Sequence, residues 1–332
     1  MNFESFIDYI KDGIIQIMGN GVEVKTHKIL KNNNVELDAI TILEKDNSIS
    51  PTIYLNCFYE EFLEGKEIGE IVNEIYELYE EHSKKLNFDM DIFMDFDRVK
   101  ERIAFKLINT KSNSKLLKDI PHIAFLDLSI VFYCLLDNDY LGTATALIHN
   151  VHRDMWKIST KDLFEIAKIN TPRLLECEIK DMNDLIKEIL VDDLQKTIFE
   201  RDDRYDRNCI NYEAEKVADG LMKNITRAKD QLAMYVLTNK QRTNGAVCIL
   251  YDEILKKFAQ KVDCDVYILP SSVHEVILVP ATEGIDGKSL SGMVKEVNQK
   301  ELDKIDILAN HAYYYSKERD EIMISDKVKN NN

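Results

Sequence analysis

The chain has 332 residues, of which 45% are hydrophobic and 31% charged, and its formal net charge is −16. This length exceeds one ordinary core and predicts two domains or one large α+β domain, and the composition excludes a disordered chain. So acidic a surface repels phosphate backbones and argues against nucleic acid as a partner. The richest basic stretch runs from Lys100 to Lys118, with Arg102, Lys106, Lys111 and Lys115, but acidic and apolar residues interleave there.

The first segment, MNFESFIDYIKDGIIQIM, places Phe3, Phe6, Ile7, Ile10, Ile14 and Ile17 on one side of a helix. It lacks the basic start of a signal peptide. Two strands follow, Val22–Lys31 and Val35–Glu44, joined through Asn32-Asn33-Asn34, and a third spans Thr52–Asn56. Helical spacing predicts a short helix over Phe58–Leu63, a longer one over Glu67–Lys84 and another over Phe96–Ile108, with Val99, Ile103 and Leu107 on its face. The block Ile123–Leu136 reads as two strands around Asp127. Gly142 then precedes a predicted helix over Ala144–Lys157, and Ser159 or Thr160 caps the next, Thr160–Asn170.

Charge-dense sequence follows. The run Glu200–Arg207 reads as an exposed linker, and Tyr212–Lys229 as helical. The last hundred residues predict a strand at Leu232–Thr238, a helix at Gly245–Val262 and strands at Val266–Leu269 and Val276–Val279. A helix at Ser289–Asn298 and strands at Ala312–Ser316 and Glu321–Ser325 complete them. The expectation is an α+β fold with mixed or largely antiparallel sheets, helices packed on one face, and two sub-domains. Its parts are an N-terminal region over 1–195, a charged helical connector over 196–230, a C-terminal domain over 231–325 and a frayed tail over 326–332.

Six scattered cysteines, none in a C-x-x-C pair, read as reduced core thiols of a cytoplasmic protein. No apolar run reaches 18 residues, so no transmembrane helix and no membrane partner are predicted.

Two constellations carry candidate chemistry. The hairpin DVYILPSSVHEVILVP holds Ser271, Ser272, His274 and Glu275 between two apolar strands. A serine nucleophile needs a base within hydrogen-bond reach; His274 is the candidate base and Glu275 the candidate orienter. The bland alternative is a turn whose hydroxyls bond its own backbone, and no G-x-S-x-G elbow is present. The second constellation is His149-x-x-His152-x-Asp154. Two histidines three apart share a helix face and could grip one metal, given a third ligand such as Glu165 or His122. The bland alternative is a capping or packing pair, and no cofactor is predicted. Gly287-Lys288-Ser289 lacks the earlier glycine of a phosphate loop, since residue 282 is Thr282. Asp89, Asp91, Asp95 and Asp97 do not meet the spacing of a calcium loop. In His311-Ala-Tyr-Tyr-Tyr315, alternation puts Tyr313 and Tyr315 on one face and Tyr314 on the other.

The segments YILPSSVHEVILVP with LSGMVKEVN, LIHNVHRDMW, and PTIYLNCFYEEFLEG resemble a bacterial family described only as a domain of unknown function. The resemblance spans nearly the whole chain. The last hundred residues also resemble, more distantly, the end of a second uncharacterised bacterial family with a P-or-S-x-H-x-x-hydrophobic hairpin. Neither resemblance implies an activity, a cofactor or catalytic residues. The expected function is therefore a non-catalytic cytosolic protein that binds a protein or small ligand. The alternative is a hydrolase or metal-dependent enzyme using the Ser271/His274/Glu275 turn or the His149/His152 pair.

Overall fold

The apolar spacing of the first segment closes into a helix in the computed structural model. The structure describes residues 1–19, 21–44, 50–83, 93–138, 142–201, 214–222 and 232–327. Residues 202–207 of the expected linker, Asp89, Asp91, Cys209 and the tail from 328 lie outside them. Close contacts divide the chain into two units, Met1–Asn170 and Thr171–Asn332.

In the first unit, helix α1 (Phe3–Met18) starts at Asn2, whose side chain accepts the Ser5 N–H at 2.9 Å. That bond satisfies one of the orphan donors of the first turn. Phe6, Ile10 and Ile14, four apart, are fully buried, whereas Ile17 is exposed. They pack on a three-stranded antiparallel sheet of β1 (Val22–Leu30), β2 (Glu36–Glu44) and β3 (Thr52–Tyr54). Asn33 and Asn34 take positive φ in the β1–β2 turn, as asparagine tolerates. Helices α2 (Asn56–Leu63) and α3 (Ile68–Ser83) complete this core through Phe58, Ile71, Val72, Ile75 and Tyr79. Each fully buried Ile or Phe contributes about 1.5–3 kcal/mol of transfer free energy.

The segment predicted as a helix over Phe96–Ile108 is divided. Only α4 (Phe96–Val99) is α-helical; a 3-10 turn at Lys100–Arg102 leads into strand β4 (Ile103–Asn109). Ile103 and Leu107 satisfy a helical period and a strand period equally, so spacing alone could not separate them. Pairing decides: all seven residues of β4 face β6 in antiparallel register. Strands β5 (His122–Phe125) and β6 (Leu128–Asn138) fall on either side of Asp127 as expected. β7 (Gly142–Leu147) replaces the first part of the helix expected over Ala144–Lys157, because alternating Thr143 and Thr145 pair with β6. The helix proper is α5 (Asn150–Trp156). α6 (Thr160–Leu174) is capped by Ser159, whose Oγ accepts the Asp162 N–H at 3.1 Å while Asp162 accepts from the Ser159 hydroxyl at 2.6 Å. The basic stretch is partly neutralised within this unit: Lys100 pairs with Asp97 at 2.8 Å and Lys115 with Glu36 at 3.0 Å.

The second unit begins N-terminal of the boundary expected from charge. Strand β8 (Cys177–Asp181) pairs with β9 (Tyr235–Asn239), so sequence before the charged connector belongs to the C-terminal sheet. Between them lie α7 (Met182–Arg201) and α8 (214–222). The helix expected over Gly245–Val262 is broken into a 3-10 segment, Gly245–Leu250, and α9 (Ile254–Val262), with Glu253 at φ 67° between them. β10 (Val266–Pro270) and β11 (Val276–Pro280) form the hairpin, followed by α10 (Gly287–Lys300), β12 (Tyr313–Ser316) and β13 (Glu321–Ile324).

The six-stranded sheet has the order β13-β12-β10-β11-β9-β8, which sets the hairpin at its centre. Leu290 and Val294 of α10 pack on Tyr267, Leu269 and Val279. Phe258 of α9 meets Tyr235, whose register partner is Leu278, on the opposite face. Cover on both faces explains why β10 and β11 are uninterrupted apolar runs. Tyr313 and Tyr315 are buried, as strand packing predicts. Every strand pairing among the described residues is antiparallel, and the architecture is α+β. Of the described cysteines, Cys134 and Cys248 are buried, Cys177 and Cys264 half-buried, and Cys57 is exposed rather than in a core; none forms a disulfide among the described residues.

Candidate functional site

The apolar strands β10 and β11 hold residues 271–275 as a tight connection between paired Pro270 and Val276. The Ser272 N–H donates to the Glu275 carbonyl at 3.2 Å, and the Ser272 hydroxyl oxygen accepts the His274 N–H at 3.0 Å. The Ser271 hydroxyl donates to Glu275 Oε1 at 3.2 Å. Both serines therefore serve the turn itself, the usual role of short hydroxyls there.

His274 reaches elsewhere. Its Nδ1 accepts the backbone N–H of Asn244 at 3.1 Å, which assigns the ring proton to Nε2. Nε2–H donates to Asp306 Oδ1 at 3.3 Å. Both ring nitrogens are thus engaged, and neither serine is hydrogen-bonded to the ring. The structure joins Ser271 with Glu275, and His274 with Asp306, but not the serines with the imidazole.

The surroundings lock this arrangement. The Thr238 hydroxyl donates to the His274 carbonyl at 2.8 Å, the Ala246 N–H to the Val273 carbonyl at 3.2 Å, and the Val273 N–H to the Asp306 carbonyl at 2.8 Å. Gly245 sits where a Cβ would fall 2.2 Å from Thr238 Oγ1 and 2.5 Å from the His274 carbonyl oxygen. The turn is therefore bound to the Asn239–Ala246 loop on one side and the Lys304–Asp306 turn on the other. Asp306, Asn244, Thr238 and Gly245 were not singled out from sequence. The Asn-Gly pair after a strand is a turn signal that could have identified the loop.

The histidine pair lies in the other unit. His149 is the N-cap of α5, and its backbone N–H donates to His152 Nδ1 at 3.0 Å. The His149 ring lies 3.3 Å from Asp119 Oδ2. His152 packs edge-on against Phe93, with ring centroids 4.8 Å apart, and lies 6.0 Å from the Trp156 ring. A capping acceptor within an aromatic cluster accounts for the spacing of these two residues. His122 is bonded through Nδ1 to the Ile120 carbonyl at 3.0 Å. Among the described residues, no group of three or more His, Cys, Asp and Glu side chains is arranged to hold a metal ion.

Burial, and then the neighbouring His149, hold the His152 pKa below the usual histidine value. The unfolded chain therefore binds this proton at a pH where the folded chain does not. Stability present above about pH 6.5 is lost as pH falls through that value toward the folded pKa. His152→Gln keeps a capping acceptor but removes the titration. Thermal midpoints measured between about pH 7.5 and 5.5 should fall less for this variant than for the wild type. Parallel curves would show that His152 is not the group responsible.

The helix start at Gly287-Lys288-Ser289 is occupied by its own cap. Asp286 accepts the N–H groups of Lys288 and Ser289 at 3.0 and 3.1 Å, which leaves the first turn without the open donors of a phosphate loop.

These features define an α+β protein in which the turn of residues 271–275 is a structural junction. It belongs to a family of unknown function, DUF5688, whose model matches residues 3–317. No curated protein and no solved structure matches the chain. No helix among the described residues is long and apolar enough to cross a membrane.

Proposed function

We propose that this chain is a non-catalytic, cytoplasmic protein that binds a protein or small-ligand partner. The observation that supports this reading most directly is the state of His274. A general base needs a free nitrogen within reach of the proton it removes. Here Nδ1 is engaged by the Asn244 N–H and Nε2 by Asp306. The serines that would act as nucleophiles bond within their own turn. The His149/His152 pair likewise has a capping and packing role.

The test is an assay of the purified chain against a broad panel of ester, amide and phosphoester substrates, with wild type and His274→Asn side by side. Asn places an acceptor near the Nδ1 position, so the Asn244 contact and the fold are retained. The expected result is no turnover that depends on residue 274. Robust turnover in the wild type that disappears in His274→Asn would overturn the reading.

A further inference from the structure

β4 is apolar and buried over Ile103, Ala104, Phe105, Leu107 and Ile108, and Lys106 interrupts it. Its register partner on β6 is Val131, which also pairs with His122 of β5. Directly paired residues share a face, so Lys106, Val131 and His122 form one row. The Lys106 ammonium lies 5.7 Å from the centroid of the Tyr133 ring, two residues along the same face.

A second lysine stands at the end of the first sheet, next to the turn that meets β4. Lys31 directly follows β1, and its Nζ lies 4.3 Å from the Tyr54 ring centroid. The turn that follows it, Asn32–Asn34, packs against β4. The Asn33 N–H donates to Asn113 Oδ1 at 2.7 Å, and Asn113 Nδ2 returns a bond to Asn33 Oδ1 at 3.1 Å, which pins the turn there. Burial, and then the charge of Lys31, hold the Lys106 pKa below the usual lysine value.

We propose that Lys106 and Lys31 form a binding site for a small oxyanion, a phosphate or a carboxylate, in the N-terminal unit. An enclosed cation normally has a charged partner, and a second cation nearby raises the cost of enclosing it. Among the described residues neither ammonium is paired with a carboxylate, although acidic residues outnumber basic ones 59 to 43. An anion shared between them would supply the missing charge. The same turn carries a buried acceptor, Asn34 Oδ1, that has no hydrogen-bond partner among the described residues and would suit a hydroxyl of a protonated phosphate. The tyrosine rings make one wall of each ammonium's surroundings and leave its N–H donors for a ligand.

This inference deepens the binding reading and rests on it, since the ligand is held and not turned over. The experiment is isothermal titration of the full chain at low ionic strength, with inorganic phosphate in one arm, acetate in another, and sodium chloride as the ionic-strength control. Saturable binding is expected in at least one oxyanion arm, and the arm that responds identifies the ligand chemistry. Lys106→Met is expected to weaken it by about tenfold, the effect of losing one charge-assisted contact. Lys31→Gln should weaken it in the same direction and decides the matter if Lys106→Met does not fold. No saturable binding in either arm, or affinities unchanged in the folded variants, would overturn the site. Turnover lost in His274→Asn would instead remove the binding reading and leave these isotherms unaltered, so the two failures are distinct.

Discussion

Gly245→Ala should lower the stability of the C-terminal unit by about 3 kcal/mol or more, the upper range for overpacking a close contact. The added Cβ would lie 2.2 Å from Thr238 Oγ1, 2.5 Å from the His274 carbonyl oxygen and 2.8 Å from the Asn239 nitrogen. Two of these three atoms are backbone and cannot rotate away. Relief requires the hairpin turn to separate from the Asn239–Ala246 loop, which breaks the bonds that hold His274. For a unit of this size the melting midpoint should fall by about 10 °C. Thr238→Ala in the same chain removes the Oγ1 clash together with the γ-methyl and the hydroxyl's bond to the His274 carbonyl, so the double variant should recover part of the loss and not all of it. A Gly245→Ala protein that melts with the wild type, followed by calorimetry, would show that the close approach is absent.

His274→Ala should cost about 2 kcal/mol, because it leaves the Asn244 N–H without its acceptor and removes the partner of Asp306. His274→Asn separates the two contributions. Its carbonyl oxygen can take the Asn244 N–H but cannot reach Asp306. If the amide contact dominates, Asn should restore most of the stability in urea melts. The Asp306 contact joins two half-exposed side chains and is expected to contribute less. Equal loss in Ala and Asn would assign the stabilisation to Asp306 instead. In either case the hairpin acts as a junction between three segments, and its variants should be read first as stability variants.

Much of the fold could be read from residue order. The Phe6, Ile10 and Ile14 spacing of α1, the Asn-rich turn between β1 and β2, and the central position of the Val266–Val279 hairpin all follow from local pattern. The segments that differed share a cause. Ile103 and Leu107 fit a helix as well as a strand, and Gly142–Leu147 has small residues that either structure accepts. In both places the choice was made by hydrogen bonding to β6, a partner outside the local window. Over Gly245–Val262 the helical period was continuous in sequence, but the positive φ of Glu253 breaks it.

The candidate site divides along the same line. Sequence by itself determined that Ser271, Ser272, His274 and Glu275 share one turn on a rigid apolar hairpin, and that His149 and His152 sit three residues apart. It also determined an acidic α+β chain within one family over residues 3–317. Only the tertiary structure decided what these groups do. The partners of His274, Asn244 and Asp306, lie 30 and 32 residues away in the chain, so no local spacing reveals them. The same holds for Lys106, whose strand β4 is met by the Asn32–Asn34 turn that directly follows Lys31. A side chain's chemistry depends on which donors, acceptors and charges surround it, and long-range packing sets those surroundings.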